Sequence, residues 1–419
     1  MSNLLDKASI LLTPTAYDNG SMLSIKPENG DGDFDFQRSG NASRFDSSGN
    51  IVTESANLPR IDYTDGCGSW LLEPQSTNYS TNSEQPSTWH SSGGVTVTAN
   101  AATSPEGIQN SSLVVNNAST GSRYSRNFFD FSSGSGLHTV TTSYFIKYYN
   151  NQWVRLRSIF FNGSPANNVS TFFDVQNGVL GTVDANHTAK IEDYGNGWYR
   201  CSITFDIDKS VDKNGYVHLE AMDGDNSITF AANGQGFYAY GSQGEEFSFS
   251  TSYIPTNGAA NTRLQDIANN SGNSSLINST EGVLYAEIAA LADDGTNRGI
   301  ALSDGTTSNR VNILFGTGSN KIRTIVKSNS STSFDEEYAV TSTLNYHKIA
   351  IKYKENDFAL WIDGIERFTD TSGSSPIGLS KLAFNVGSVG NLNFYGKNKA
   401  VAVYKEALTD AELQSLTTI

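Results

Sequence analysis

Cysteine and charged residues are both scarce in this sequence. The chain has 419 residues, of which two are cysteines, Cys67 and Cys201, and 17% are charged. Two thiols are too few for a structural zinc site. Whether the two thiols pair depends on how close their Cβ atoms lie, which a sequence does not reveal.

A long hydrophobic run is also missing. No stretch of 18 consecutive apolar residues occurs, so we expect no membrane insertion. The first twenty residues contain a short apolar run but no basic segment leading into a sustained apolar one, which is the pattern of a secretion signal. We therefore expect the protein to be made in a cytoplasm, with reduced thiols.

Positive charge is the scarcer of the two signs. Lys and Arg number 28 against 43 Asp and Glu, which gives a net charge of −15. An acidic surface repels nucleic-acid phosphates and anionic lipid headgroups, so we expect no nucleic-acid partner. Bulk polyanionic glycans are repelled too, unless a local basic patch overrides the net charge.

Aromatic residues and short alternating runs are abundant. The chain has 22 Phe and 19 Tyr, and alternation with a period of two recurs between Gly, Asn and Asp turns, which predicts an all-β fold. In "NDFALWIDGIERFTD" (residues 356–370), Asp363-Gly364 separates two such runs and predicts a β-hairpin. Near the end, Thr409 and Glu412 form the pattern of a helix capping box, which predicts a short C-terminal helix.

The local composition and the pattern of predicted strands divide the chain into four segments. Residues 1–85 are turn-rich and predict an irregular segment that orders against another domain, subunit or assembly. Residues 86–262 and 281–419 each predict an antiparallel β-sandwich, the first a jelly roll. Residues 263–280 are rich in Asn, Ser and Gly and predict a flexible or surface-crossing linker.

Several stretches resemble bacteriophage tail and fibre proteins. "DFDFQRSGNASRFDSSGNIVTESANLPRIDY" and "SWLLEPQSTNYSTNSEQPSTW" carry the pattern found near the start of such proteins, at residues 33–36, Arg38, 57–63 and 71–78. "GNGWYRC" (195–201) and "TSYIPT" (251–256) are similar to their carbohydrate-binding-module-like jelly roll. "YHKIAIKYKENDFALWIDGIERF" and "YKEALTDAELQSL" resemble concanavalin-A-like and laminin-G-like sandwiches.

This resemblance covers nearly the whole chain and implies a virion protein of a tail, fibre or head appendage. It implies that residues 1–85 dock onto other virion proteins and that the sandwiches meet a host surface polysaccharide. A homotrimer is expected by analogy with fibres. The long enzymatic β-helix that is common in tailspikes is absent from the sequence.

The best binding candidate is a row on one predicted strand. Trp153, Arg155 and Arg157 alternate with Val154 and Leu156, so the three should point to one face and the aliphatic pair to the core. An exposed Trp/Arg row suits either an acidic sugar or a subunit interface, where these residues are typical anchors. The sequence does not choose between the two.

Three further aromatic residues have two interpretations each. In the first interpretation, Trp198 and Tyr199 form a sugar-stacking platform together with Arg200. In the second, Trp198 is a structural residue that fills the interior of the sandwich. Trp361 is a ligand platform if it is exposed and a core residue if it packs under the helix 409–416. For both tryptophans the core interpretation is favoured.

Cofactors are not required by any motif. The carboxylates of Asp293, Asp294 and Asp304 lie in Asp-Gly loops and could supply oxygen ligands for Ca²⁺. Their spacing matches no dedicated calcium-binding loop, and Asp-Gly is foremost a sequence typical of turns.

Catalysis has weak support in the sequence. Glu245-Glu246 and Asp335 to Glu337 offer carboxylates, but neighbours on a strand point to opposite faces and do not form the facing pair of a glycosidase. Tyr216 and His218 share one strand face, which is suggestive of a lyase. The leading prediction is therefore a non-enzymatic glycan-attachment protein. A polysaccharide depolymerase and a structural spacer remain as alternatives.

Overall fold

The computed structural model describes residues 4–161, 169–387 and 392–419. It confirms the predicted fold class, because the chain is almost entirely β, its sandwiches are built from antiparallel ladders, and one short helix closes the C-terminus. Among the described residues, no helix has the length and apolar character needed to cross a bilayer.

The described part of the first 85 residues, from residue 4 onward, contains one short helix and nine short strands. They are α1 (Leu4–Lys7), β1 (Ala8–Leu12), β2 (Tyr17–Asp18), β3 (Ser21–Met22), β4 (Phe34–Gln37), β5 (Ala42–Phe45), β6 (Ile51–Glu54), β7 (Ile61–Asp62), β8 (Ser69–Leu72) and β9 (Ser76–Asn78).

The middle of the chain begins with a 3-10 turn (Pro86–Thr88), and its described residues, 86–161 and 169–263, form thirteen strands. They are β10 (His90–Ser91), β11 (Val95–Thr103), β12 (Gln109–Asn116), β13 (Ser125–Asp130), β14 (Leu137–Tyr148), β15 (Trp153–Ile159), β16 (Ser170–Asp174), β17 (Val179–Leu180), β18 (Thr188–Asp193), β19 (Trp198–Asp208), β20 (Asn214–Met222), β21 (Gly236–Glu245) and β22 (Asn261–Arg263).

In the last part, the described residues 264–387 and 392–419 form eleven strands and the C-terminal helix. They are β23 (Ile267–Asn269), β24 (Glu281–Ala290), β25 (Arg298–Ser303), β26 (Arg310–Phe315), β27 (Lys321–Ser328), β28 (Ser331–Ala339), β29 (His347–Lys354), β30 (Phe358–Ile362), β31 (Ile365–Asp370), β32 (Lys381–Ala383), β33 (Gly396–Tyr404) and α2 (Asp410–Thr417).

The chain divides into two compact units that do not follow the predicted segments. Unit 1 comprises residues 1–41, 54–74 and 264–419, and unit 2 comprises residues 42–53 and 75–263. The segment 1–85 is therefore shared between the two units and does not stand apart as a docking arm. The prediction differs from the structure because short strands of this segment pair with strands from later parts of the chain. A turn-rich local sequence gives no sign of such long-range pairing.

Unit 2 is a sandwich of two six-stranded sheets. We call them the β15 sheet, with order β10-β13-β20-β15-β16-β17, and the β14 sheet, with order β11-β12-β21-β14-β19-β18. Alternate residues of both sheets form one core, which includes Phe129, Leu156, Ile203 and Leu219. The early strand β9 is tied to this unit, because the Asn78 amide donates to the carbonyls of Ser242 at 3.0 Å and Ile254 at 2.7 Å.

Unit 1 is a second sandwich, with eight strands in one sheet and five in the other. The larger sheet has the order β31-β30-β29-β24-β33-β8-β7, with β1 also on β33, and the smaller has the order β28-β27-β26-β25-β32. A four-stranded sheet, β2-β3-β4-β23, adds Phe34 and Phe36 to the same core. The early strands β1, β7 and β8 thus complete a sheet whose other strands come from beyond residue 280.

The predicted linker 263–280 is part of unit 1. Asp266 is buried and accepts from the guanidinium groups of Arg38 at 3.1 Å and Arg60 at 2.5 Å. Arg60 also donates to buried Glu73 at 2.7 Å. Since buried charges are stable only when they are paired, this network fixes the segment on the sandwich. Its Asn/Ser/Gly composition reflects turns between fixed points, and the prediction of a flexible linker is corrected.

Two local predictions are confirmed in unit 1. Asp363 and Gly364 have φ angles of 53° and 77° between paired strands β30 and β31, as a type I′ hairpin turn requires. Thr409 and Glu412 form a complete capping box at the start of α2. The helix α2 buries Leu413 in one cluster with Ala350 and Trp361, so it covers part of the face of β29 that carries Ala350.

Candidate functional site

The strand β15 presents its predicted row on the outer face of the β15 sheet. Val154 and Leu156 lie in the core of unit 2, as the alternation predicts. Trp153 and Arg157 are half-buried on the opposite face. This outer face is where we place the candidate site.

Arg155 does not belong to an exposed row, which corrects the prediction. It is 8% exposed and its Nε donates to Glu220 at 2.5 Å. The ladder places Arg155 opposite Glu220 on β20 and opposite Phe172 on β16, so both neighbours cover it. The guanidinium of Arg155 is neutralised within the sheet and is not offered to a ligand.

One row of the sheet carries four basic side chains. The ladders pair His90 with Arg126, Arg126 with His218, and His218 with Arg157, across β10, β13, β20 and β15. We call these four residues the basic row. Arg126 and Arg157 have no carboxylate partner within the described part of the chain. A chain with net charge −15 thus concentrates positive charge on one face.

Aromatic rings flank the basic row. The Arg126 guanidinium lies 4.0 Å from the centroid of Tyr216 and 5.4 Å from that of Tyr124. Phe128 and Phe160 pack around Tyr216 with centroid distances of 5.2 Å and 6.0 Å. Phe128 is 47% exposed and Phe160 is 52% exposed. Two exposed apolar rings thus lie beside a cation on this face.

His218 lies at the centre of the basic row and is 6% exposed. Its ring stacks on Tyr124 at a centroid distance of 3.9 Å. Both ring nitrogens are buried. Among the described residues, the carboxylate paired with the ring is Glu220, whose oxygen lies 3.6 Å from Nδ1, just beyond hydrogen-bond distance. Burial, followed by the charges of Arg126 and Arg157, lowers the pKa of His218 against the opposing effect of Glu220.

Trp198 and Tyr199 do not form a sugar platform with Arg200. Trp198 is 1% exposed and its Nε1 donates to the Thr103 carbonyl at 3.0 Å, so it is a structural plug of unit 2. Arg200 is buried and its guanidinium donates to the Thr251 carbonyl at 2.7 Å. Tyr199 is half-buried and packs against the core and against Gly178. All three belong to the β14 sheet and are not on the outer face of the β15 sheet.

Trp361 is also a core residue. It is 7% exposed and lies in one cluster with Leu408 and Leu413, under the C-terminal helix. The alternative in which it offers its ring to a ligand is therefore wrong.

The loop aspartates considered for Ca²⁺ are engaged in turns. Asp293 accepts from Asn320 N at 2.8 Å, Asp294 accepts from Arg298 at 2.6 Å, and Asp304 accepts from Thr306 N at 2.8 Å. Within the described ranges, no group of three or more His, Cys, Asp or Glu residues is arranged to hold a metal ion.

The carboxylates considered for catalysis are also engaged by protein groups. Glu245 is buried and accepts from Ser76 at 2.6 Å, and Glu246 accepts from the Ser132 hydroxyl at 2.9 Å. Asp335 pairs with Arg323 at 2.6 Å. Cys67 is exposed and Cys201 is buried, and both are free thiols.

Sequence reasoning missed most of the outer face. Tyr124, Arg126 and Phe128 alternate in "RYSRNFF" as clearly as the β15 row does, and this signal could have been read. What the sequence could not supply is the register that aligns Arg126 with His218 and Arg157, because ladder partners distant in sequence are set by the whole sandwich.

No protein-family model and no curated protein matches the chain. Among solved structures, it is similar to the CBM40 module of the Ruminococcus gnavus IT-sialidase bound to α2,3-sialyllactose, with 13% identity and a TM-score of 0.31 over 35% of this chain and 86% of that one. It is also similar to mouse laminin α1 domains LG4-5, with 8% identity and a TM-score of 0.24 over 70% of this chain and 96% of that one. Likenesses this distant assign neither a family nor a ligand.

Proposed function

We propose that this protein binds glycans of a host surface through the outer face of the β15 sheet, as a non-enzymatic part of a phage virion appendage. The observation that carries the proposal is an exposed aromatic cluster beside unpaired guanidinium groups. Aromatic rings stack on the apolar faces of sugar rings, and guanidinium groups donate hydrogen bonds to their oxygens. Phe128, Phe160 and Tyr216 would form the stacking platform.

The virion assignment rests on the sequence resemblance. The patterns at residues 33–36, 57–63 and 71–78 are those of phage tail and fibre proteins. Because the described part of residues 1–85 is built into the two units, we expect docking to other virion proteins through a folded surface and not through a free arm. A homotrimer would present several weak sites at once, which raises avidity by about 10²–10⁴ over a single site.

The test is binding of the purified full-length protein to polysaccharides stripped from candidate host cells, with polymer length followed in the same samples. The proposal expects complex formation with unchanged polymer length. Tyr216→Ser should weaken binding, because it removes the ring that Phe128 and Phe160 pack against. Tyr338→Ser is the matched control, because Tyr338 is a comparable ring under Arg367 in unit 1, with the cation 4.3 Å from its centroid. No binding to any polymer would overturn the proposal.

A polysaccharide lyase is the second candidate. Tyr216 and His218 share one face of β20, with Arg126 and Arg157 beside them to neutralise a substrate carboxylate. The burial of both His218 nitrogens favours binding over proton abstraction, because a general base has to reach the proton that it removes. Shortening of the polymer in the same samples would favour the lyase.

A subunit interface or spacer is the third candidate, since Trp and Arg anchors also serve protein partners. In that case Tyr216→Ser would change the oligomeric state measured by light scattering. The glycan-binding proposal expects that state to be unchanged.

A further inference from the structure

The basic row is costly to the isolated sheet. Arg126 and Arg157 flank His218 in one register on three successive strands. Like charges opposite one another on neighbouring strands are destabilising, so the two arginines disfavour protonation of the imidazole between them. The nearest carboxylate, Glu220, lies one row away and is engaged by Arg155 at 2.5 Å. Stacking of Arg126 on Tyr216 offsets part of the cost. The second oxygen of Glu220 lies 3.6 Å from His218 Nδ1, but no carboxylate among the described residues pairs with Arg126 or Arg157.

The row also contains polar atoms without partners. The two ring nitrogens of His218 and the Nε of Arg126 are buried and make no hydrogen bond. A buried polar group without a partner costs about 1–3 kcal/mol, so native structures rarely keep several together without a reason. Arg126 Nε is a donor and a neutral imidazole has one donor and one acceptor nitrogen, so the row holds two donors without acceptors among the described residues, and such donors bind oxyanions.

We infer that the basic row is a subsite for an anionic group, and that the glycan bound by this face is an acidic polysaccharide whose carboxylate sits between Arg126, His218 and Arg157. This inference rests on the proposed function and names its substrate class. The carboxylate supplies the missing negative charge, and the guanidinium groups of Arg126 and Arg157 donate to its oxygens, while its charge acts on the buried His218 ring in the same row. The sugar ring that carries it lies on Tyr216 and Phe128, in the next row of the same face.

Binding is coupled to protonation of His218. Tyr216 and Glu220, on the same strand as His218, face its ring. Arg126 on β13 and Tyr124, which directly precedes β13, face it from one side, and Arg157 on β15 faces it from the other. Without ligand, burial and then the two arginines lower the pKa of His218. A bound carboxylate opposes the field of both arginines, so it raises the proton affinity of the ring. The complex therefore takes up a proton and binds more tightly as pH falls toward the ordinary pKa of histidine.

The test measures binding of the full-length protein to a panel of acidic bacterial surface polysaccharides and to the carboxyl-reduced, neutral form of each. Dextran sulfate, compared with dextran, tests whether a sulfate group can replace the carboxylate. We expect binding to carboxylated polymers, loss of binding on carboxyl reduction, and weaker binding at high salt. Arg126→Gln and Arg157→Gln should each weaken binding by about 10-fold or more, the effect of losing charge-assisted hydrogen bonds. Arg157→Lys keeps the positive charge but not the planar guanidinium that donates two hydrogen bonds, so it should lose less binding affinity than Arg157→Gln.

Arg367→Gln is the matched control, because Arg367 lies 4.3 Å from the Tyr338 ring centroid in unit 1, and it should bind as the wild type does. Unfolding curves for every variant separate a binding defect from a folding defect, and calorimetry in buffers of different ionisation enthalpy measures the expected proton uptake. Equal binding to acidic and neutral forms, binding to the sulfated polymer alone, or unchanged binding by both arginine variants overturns this inference while leaving the proposed function standing. No binding to any polymer overturns both.

Discussion

At the scale of single residues, the outer face depends on Glu220. This carboxylate is 2% exposed and pairs with Arg155 at 2.5 Å beneath the basic row. Burial opposes its ionisation, but His218 and Arg155 hold the pKa of Glu220 below its ordinary value. The pair keeps one of the two β15 arginines out of the binding surface and fixes β15 to β20.

We predict that Glu220→Ala destabilises the protein by about 3–5 kcal/mol, because it leaves Arg155 charged and buried without a partner. Urea unfolding measures the change. Glu192→Ala is the control: Glu192 pairs with exposed Lys190 at 2.7 Å, and surface pairs are worth about 0–1 kcal/mol. Adding Arg155→Met to Glu220→Ala should recover part of the loss, and failure to recover any would contradict this account of the pair.

His347 makes stability depend on pH. Its Nδ1 lies 2.6 Å from the Asp363 carboxylate and its Nε2 lies 2.9 Å from the Ser342 carbonyl, so both nitrogens face acceptors. Burial alone would lower the pKa of His347, but these partners raise it above 6.5. The folded protein therefore holds this proton at pH values where the unfolded chain has released it. The stabilisation is full below about pH 6.5 and is lost as pH rises through the raised pKa.

We predict that the free energy of unfolding of the wild type, measured relative to His347→Gln, falls in the pH range above about 6.5. Urea unfolding at several pH values measures this difference, in which other titrating groups cancel. A difference that is flat or rises with pH in this window would contradict the assignment.

Several residues of the site could be predicted from sequence, and others could not. The direction in which Trp153 and Arg157 point follows from strand alternation alone. The burial of Arg155 does not, because it depends on a partner 65 residues further along the chain. Trp198 and Trp361 show the same limit, since a tryptophan in a strand has the same local pattern whether its face is open or covered.

At the scale of elements, the C-terminal helix is the most autonomous piece of the fold. Its capping box satisfies the first-turn amide of Glu412, and Leu413 is fully buried in the cluster that covers Trp361. This element was predictable because its signals are all local, and the same holds for the Asp363-Gly364 hairpin.

We predict that Thr409→Ala costs about 1 kcal/mol of stability, because the side-chain oxygen that accepts from Glu412 N is lost. The control is Ser415→Ala, an exposed position inside the same helix, where alanine should be neutral or slightly stabilising. Thermal unfolding distinguishes the two. A Thr409→Ala variant as stable as Ser415→Ala would show that the cap is dispensable.

At the scale of the whole molecule, the two units are interleaved along the chain. Residues 42–53 and 75–85 belong to unit 2, while residues 1–41 and 54–74 belong to unit 1. Composition predicted an all-β chain with two sandwiches, but it could not predict this interleaving. The ladders of β1, β8 and β9 join residues that are far apart in sequence, and no local signal marks them.

We predict that a fragment of residues 42–263 folds cooperatively, whereas residues 86–262 alone are far less stable. The shorter fragment loses β9, whose Asn78 amide satisfies the Ser242 and Ile254 carbonyls, and it loses Ser43, which donates to the Tyr253 carbonyl at 2.5 Å. Calorimetry of both fragments tests this. Equal melting temperatures would contradict the assignment of residues 42–53 and 75–85 to unit 2.

The central claim is that the outer face of the β15 sheet binds an acidic glycan. The most direct measurement is a crystal structure of the full-length protein soaked with an oligosaccharide cut from a polymer that it binds. The account predicts a carboxylate within hydrogen-bond distance of Arg126 and Arg157, with a sugar ring stacked on Tyr216 or Phe128. A sugar bound on unit 1 or on the β14 sheet, with the basic row empty, would contradict it.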